Sequence, residues 1–270
     1  LPPGDHVLTF AELRASVLVV GPESASPWSE PWDGEWREHL TRQAETMCGQ
    51  LWDVGIEDIY LDGSFTEAKA HPNDIDGYFE CDARRVATGD LQRALNQIDP
   101  KKCWTWDPGE RRAYRGYAKK QLPMWHAYRV ELYPHYDQFT GIADEYGHPL
   151  TFPAAFRKRR RDDEPKGIVK VVPEPGLVGS APPSRLPLDF AAATAPSQTV
   201  TDMIRTNAEY AKAQKKLTQE QNTLQRQREQ LEEMDLSDEE VERALQPMIS
   251  FRNQLREEIE TYEQMRRGDL

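Results

Sequence analysis

The sequence has no apolar run of about 18 residues, the length a membrane-spanning helix needs. It therefore carries no spanning segment, and a mean hydropathy of -0.79 predicts a chain at home in water. Cysteine is scarce. Cys48, Cys81 and Cys103 are odd in number and widely spaced. That excludes a disulfide framework or a clustered zinc site and fits buried thiols in a reducing cytoplasm. The opening Leu-Pro-Pro-Gly-Asp-His has no basic-then-apolar signal pattern. It begins at Leu1 rather than at methionine, which leaves room for residues ahead of it. Positive charge is also in deficit. A net charge of -12 argues against a protein that coats nucleic acid at large.

What basic charge there is lies in two places. From Lys101 to Arg129 there are eight Lys and Arg against two acids, and from Phe156 to Lys170 seven against three. Such patches in an acidic chain suit a defined polyanion, an RNA end or a nucleoside triphosphate, or are simply solvated surface. The first patch interleaves Trp104, Trp106, Tyr114, Tyr117 and Trp125 with Arg111, Arg112, Arg115, Lys119 and Lys120. Aromatic faces of this kind stack on bases or fill a core.

With 270 residues there is room for one medium domain and an appendage. Residues 35–54 predict an amphipathic helix, with Leu40, Met47, Leu51 and Val54 near helical spacing and Gly55 as its stop. Strands are expected at 58–61 and 75–79, and a short helix at 90–98. Residues 128–133 alternate as a strand, with Val130 and Leu132 on one face and Arg129, Glu131 and Tyr133 on the other. From His135 to Pro153 turn residues recur and a structured loop is expected. A final strand follows at 166–172, its lysines facing either phosphate or solvent. Residues 173–198 hold six prolines and read as a linker. Beyond it comes a helical hairpin. Met203, Tyr210, Leu217, Leu224 and Leu231 recur every seven residues. Val241, Leu245, Met248, Leu255, Ile259 and Tyr262 recur at threes and fours. Ser237 to Glu240 forms a capping box after a short break, so the helices should run antiparallel. The pair exposes too much apolar stripe to stand alone. It should pack on the first domain, on a second copy or on another protein.

The chemistry concentrates between residues 63 and 76. A short apolar strand (Ile59, Tyr60, Leu61) runs into Gly63-Ser64. Asp74 follows Gly63 by eleven positions and Asp76 comes two later. Side chains two apart on a strand share a face, so Asp74 and Asp76 form a carboxylate pair. Close carboxylates repel unless a cation neutralises them, and hard oxygen donors select Mg²⁺. The Gly-Ser turn offers N–H groups and a hydroxyl to a phosphate. Lys69, in the spacer, neutralises phosphate or faces solvent. A phosphate cradle beside a metal pair is what nucleotidyl transfer requires.

Gly63-Ser64 and Asp74-Ile75-Asp76, placed directly after a predicted strand, resemble the signature of the nucleotidyltransferase superfamily. The wider block, Tyr60 to Phe65 with Lys69 and Pro72 to Asp76, is similar to small bacterial proteins related to the minimal nucleotidyltransferases of toxin–antitoxin systems. The similarity runs from Leu1 to about Val172. It implies an α+β fold: a mixed sheet flanked by helices in residues 1–172, then the Pro-rich linker 173–198 and the antiparallel helical hairpin 199–270. It implies a nucleoside triphosphate as substrate, with Gly63 and Ser64 at its β- and γ-phosphates and Mg²⁺ on Asp74 and Asp76. A third carboxylate from a later strand would share the second ion with Asp76. Glu131 is the candidate and Asp137 its competitor. The acceptor implied is the 3′ end of tRNA, met by Arg111, Arg112, Arg115, Lys119 and Lys120 and by Arg157, Lys158, Arg159 and Arg160. A protein side chain is the alternative acceptor. A cationic small molecule is disfavoured by the basic segments.

The hairpin, at Met203 to Tyr210 and Glu257 to Glu263, resembles the one that precedes a helix-turn-helix domain in Xre-type antitoxins. That implies an antitoxin-like or dimerising module, with DNA a partner only of a longer parent chain. A reading from another class is a regulatory binding module on a degenerate nucleotidyltransferase fold.

Overall fold

Residues 1–22, 31–114, 119–143, 149–159, 164–175, 204 and 206–268 are described by the computed structural model on which the following account rests. Strand β1 (Gly4–Leu8) leads into α1 (Phe10–Ala15), which opens on a capping box between Thr9 and Glu12. After α2 (Val17–Val20), Asp33 caps α3 (Gly34–Asp53) by accepting from the Trp36 N–H. The apolar face of α3 places Leu40, Met47 and Leu51 in the core, and Gly55 follows in a left-handed conformation. Then come β2 (Ile59–Asp62), a tight helical turn at Gly63–Thr66 and β3 (Ile75–Glu80). Helices α4 (Ala83–Ala87) and α5 (Asp90–Ile98) precede the short ribbon of β4 (Arg112–Ala113) and β5 (Lys120–Gln121). Pro123 starts α6 (Pro123–Tyr128), and Arg129 ends it at a φ of 56°. The strand expected at 128–133 therefore begins later, as β6 (Val130–His135).

The loop expected between His135 and Pro153 is a correction. It contains the paired strands β7 (Phe139–Ala143) and β8 (Pro149–Thr151), followed by α7 (Phe152–Phe156). Its turn residues lie between strands whose apolar runs are too short to stand out in the sequence. Strand β9 (Gly167–Val171) closes the domain and α8 (Asn207–Glu232) and α9 (Asp238–Arg267) form the hairpin. Most of the linker, and Met203 with it, lies outside the described residues. Among the described residues no helix is long and apolar enough to cross a membrane. The three cysteines are free; Cys48 and Cys103 are buried as expected, and Cys81 is half-buried.

The fold is α+β, with a mixed five-stranded sheet in the order β1-β9-β2-β3-β6. β1 runs parallel to β9, β2 is antiparallel to both β9 and β3, and β6 is parallel to β3. Alternation along the strands gives the two faces different jobs. Ile75, Phe79, Val130 and Leu132 face the helices, where Trp106 packs near Phe79 and donates to the Leu132 carbonyl. The opposite face carries Asp76, Tyr78, Glu131 and Tyr133. Here Phe156 of α7 lies against Tyr78, and Phe251 of α9 meets Tyr133 edge-on. The hairpin thus packs on the first domain, which is one of the three options its apolar stripe left open.

Candidate functional site

The register of the sheet assembles the site. Asp62 of β2 pairs with Asp76 of β3, and Asp76 pairs with Glu131 of β6. Three carboxylates from three strands thus stand in one row on one face. Behind them, Tyr60 pairs with Tyr78 and Tyr78 with Tyr133, and the first two rings stack at 4.7 Å. The tyrosine row walls one side of the carboxylates. Asp74, just ahead of β3, accepts from the Trp125 indole N–H at 2.7 Å.

Gly63 turns the chain beside Asp76. Its φ is +75°, and a Cβ there would lie 2.4 Å from Asp76 Oδ2. Only glycine fits both the conformation and the contact. Ser64 sits half-exposed in the same turn, and its hydroxyl makes no hydrogen bond to another described residue. The turn is tied down from the residue just ahead of β9. Lys166 Nζ reaches Asp62 at 3.0 Å, Glu67 at 2.9 Å and the Gly63 carbonyl at 3.1 Å. Lys170, the other lysine of that segment, pairs with Asp58 at 2.5 Å.

The spacer is clamped to α3. Buried Arg37 donates to the carbonyls of Leu18, Phe65 and Lys69. The Trp36 indole donates to Pro72 O at 2.6 Å, and His71 pairs with Asp33 at 2.7 Å. Burial lowers the Arg37 guanidinium to about 10, so it stays charged. Lys69 is half-buried within this clamped spacer.

The electrostatics follow from the row. Burial first, then the charges of Asp74 and Glu131, push the Asp76 carboxyl well above the usual range, partly offset by Lys119. Burial likewise raises Asp62, to about 6, against the pull of Lys166. Asp76 accepts no hydrogen bond from a described side chain. Glu131 is fully engaged: it accepts from Leu122 N–H at 3.0 Å, from the Tyr133 hydroxyl at 3.1 Å and from Gln254 Nε2 at 2.7 Å. Asp137 is exposed in the turn beyond the far end of β6.

A hard cation suits the donors at Asp74 and Asp76, which are carboxylates with no nitrogen or sulfur ligand. Glu131 does not join them as placed. Among the described residues no group of three His, Cys, Asp or Glu side chains is gathered to hold a metal ion.

Residues 1–172 match a family described as "Family of unknown function (DUF6932)". The chain belongs to that family. No curated protein and no solved structure matches it. In this DUF6932 member the matched stretch holds the whole carboxylate row and the clamped spacer. The hairpin lies outside it.

The basic segments are distributed unequally. Arg111 is buried in a two-pronged pair with Glu257, and Lys119 lies 3.9 Å from Glu258. Arg112 and Lys120 are exposed on the β4–β5 ribbon. Arg115 and Tyr117 lie outside the described residues, as does Arg160. Arg157 is held by Asp5 at 2.7 Å, while the backbones of Lys158 and Arg159 pair with those of Pro165 and Glu164. Trp104, Trp106 and Trp125 are buried, the core alternative rather than base stacking. Sequence reading gave no role to Asp62 or Arg37; it took Trp125 as a base-stacking or core aromatic and Lys166 as facing phosphate or solvent, where the structure sets them on Asp74 and Asp62. Of the two, Asp62 left a signal, since it precedes Gly63 and continues the alternation from Tyr60.

Proposed function

We propose that this protein is a Mg²⁺-dependent nucleotidyltransferase in which an acceptor hydroxyl attacks the α-phosphorus of a nucleoside triphosphate and pyrophosphate leaves, with the 3′ end of tRNA the acceptor its basic ribbon favours. The observation that carries the reading is Gly63 packed against Asp76, at the centre of a carboxylate row and next to the free Ser64 hydroxyl. That arrangement sets a phosphate-binding turn directly beside a carboxylate destabilised by its neighbours. A cation on Asp74 and Asp76 would offset their repulsion and the charge of the triphosphate, leaving the reacting phosphorus open to attack. The chain's own part is positioning and electrostatics. Gly63 and Ser64 orient the triphosphate through N–H and hydroxyl donors. Trp125 fixes one Asp74 oxygen. Lys166 neutralises Asp62, which lowers the negative charge that an incoming triphosphate meets. Arg37 and Trp36 hold the spacer so that the turn and the aspartates keep their separation. On the acceptor side, Arg112 shares an open groove of about 730 Å³ with Lys101, Lys102, His126 and Arg243, and its cations outnumber the two acids, Asp107 and Glu110, that also line it, a balance suited to a phosphate backbone.

A second reading, a regulatory binding module on this fold, is favoured by one observation: Glu131, beside Asp76, already accepts from three donors. A single assay separates the two. The full chain is incubated with Mg²⁺, each of four α-labelled nucleoside triphosphates and bulk tRNA, beside an Asp74→Ala/Asp76→Ala variant. Label in tRNA that the variant fails to add supports the enzyme and names its nucleotide. Label in a protein band moves the acceptor to a polypeptide. Absence of label throughout favours the binding module.

A further inference from the structure

The second half of α9 lies across the carboxylate row and the basic ribbon, and it reaches their charged groups through polar side chains, with Phe251 edge-on to Tyr133 beside them. Gln254 Nε2 donates to Glu131 at 2.7 Å and to the Tyr133 hydroxyl at 3.0 Å. Both oxygens of Glu257 take the Arg111 guanidinium, at 2.9 and 3.1 Å, and Oε2 also accepts the Lys120 N–H at 2.9 Å. Glu258 is buried beside Lys119, the cation that also acts on Asp76. The geometry of Glu257 on Arg111 is that of a phosphate on arginine: two parallel N–H···O bonds to a planar fork.

From these contacts we infer that α9 covers, in cis, the surface where the chain meets the phosphate backbone of an acceptor RNA, its carboxylates occupying the places of the phosphates. This rests on the nucleotidyltransferase reading for the identity of the site, and the contacts supply the cover.

Three features make the cover removable. The first half of α9 is anchored by apolar packing: Val241, Leu245 and Met248 share a cluster with Ala87 and Leu231. The second half places Ile259 and Tyr262 inside the hairpin, against Ala213 and Tyr210 of α8, and rests one ring, Phe251, on Tyr133 and Phe156 of the first domain. Leaving the site keeps that small core closed and slides Phe251 off Tyr133 and Phe156. Between the halves lies Pro247, which lacks the N–H of the helical ladder and marks where the helix bends most easily. Two of the three polar contacts over the site are ion pairs, and a buried ion pair gives back in Coulomb energy little more than its desolvation costs. A polyanion of many phosphates competes well against three side chains, and its apparent affinity is set by the fraction of uncovered chain.

The test is binding of fluorescently labelled tRNA to the full chain, without nucleotide, by anisotropy across a salt series. Glu257→Gln/Glu258→Gln removes the phosphate mimics. Gln254→Glu leaves Arg111 and its partner intact and sets a second carboxylate against Glu131. Each variant is checked for a cooperative melt. Both are expected to bind at least tenfold tighter than the wild type, with a steeper salt dependence, and adding Arg111→Ala is expected to remove the gain. Unchanged affinity in a Gln254→Glu protein that melts cooperatively overturns the cover. So does equal affinity for poly-glutamate, which would make the ligand an acidic polypeptide. The two proposals fail separately. Tighter binding with no label transferred by any variant sinks the enzyme and keeps the cover. Transfer by the wild type at the variants' rate, with no gain in binding, sinks only the cover.

Discussion

Gly63 approaches Asp76 so closely that a methyl group on it would meet the carboxylate oxygen at 2.4 Å. The contact couples the turn to the strand it faces. Gly63→Ala therefore carries two costs: a left-handed backbone disfavoured for alanine by about 1–2 kcal/mol, and displacement of Asp76. The melting temperature should fall by several degrees, and the stabilisation given by Mg²⁺ with a nucleoside triphosphate should disappear. The clash can be isolated. In an Asp76→Ala background Gly63→Ala should cost measurably less, because the oxygen is gone. Equal costs in both backgrounds would show that strain alone accounts for the effect.

Asp62 sets a pH dependence. Its carboxyl rises from the usual 3.8 to about 6, burial outweighing Lys166. A group raised in the folded state binds its proton more tightly there than in the unfolded chain. The stability this gives is complete below pH 3.8 and is lost as pH rises through about 6. The loss is on the order of 3 kcal/mol for a shift of this size. Asp62→Asn cannot ionise. The difference in unfolding free energy between Asp62→Asn and wild type should grow in favour of the variant from pH 4 to pH 6 and then stay flat. Denaturant melts across that range check it, and a difference that does not vary with pH would refute the assignment.

How much of this site the sequence could show depends on distance along the chain. Asp74, Asp76, Gly63 and Ser64 lie within one strand-turn-strand unit, so local period and turn chemistry expose them. Glu131 was legible as a strand carboxylate, and the parallel register of β3 and β6 does set it beside Asp76. That Gln254 would occupy it could not be read, because 123 residues separate the two and no local pattern records the docking of a helix. Arg111 shows the same limit. In sequence it belongs to a basic segment suited to solvent or RNA, and only the fold reveals that Glu257 buries it. Strand β1 escaped notice because its partner β9 lies at the other end of the domain.

The spacer between turn and aspartates depends on Arg37. It is buried and donates to three carbonyls, two of them in the spacer. Arg37→Met keeps much of the bulk and strands those carbonyls away from water. Hydrogen bonds to a charged group contribute about 1.5–3 kcal/mol each, so a loss of at least about 3 kcal/mol is expected in denaturant melts. Arg37→Lys restores the charge without the fork and should recover only part of it. Full recovery by lysine would mean that charge, not geometry, holds the spacer.

Trp125 offers a test in which stability and function part company. Its indole N–H donates to Asp74 at 2.7 Å, while its ring lies under the Arg129 guanidinium, 3.8 Å from its centre, and packs edge-on against Tyr114. Trp125→Phe keeps an aromatic ring for those contacts and deletes the donor. Asp74 is not fully buried, so water can replace the lost bond, and the stability change should stay near 1 kcal/mol. What water cannot replace is orientation. A carboxylate held by one fixed donor presents its other oxygen in one direction, and removing such a support typically weakens a metal site by about 10–100-fold. The variant should therefore melt close to the wild type in the absence of Mg²⁺, yet need at least tenfold more Mg²⁺ for nucleotide-dependent stabilisation. Trp125→His, whose ring can still donate, should fall between the two. If Trp125→Phe responds to Mg²⁺ as the wild type does, Asp74 takes its aim from some other contact and the indole serves packing alone.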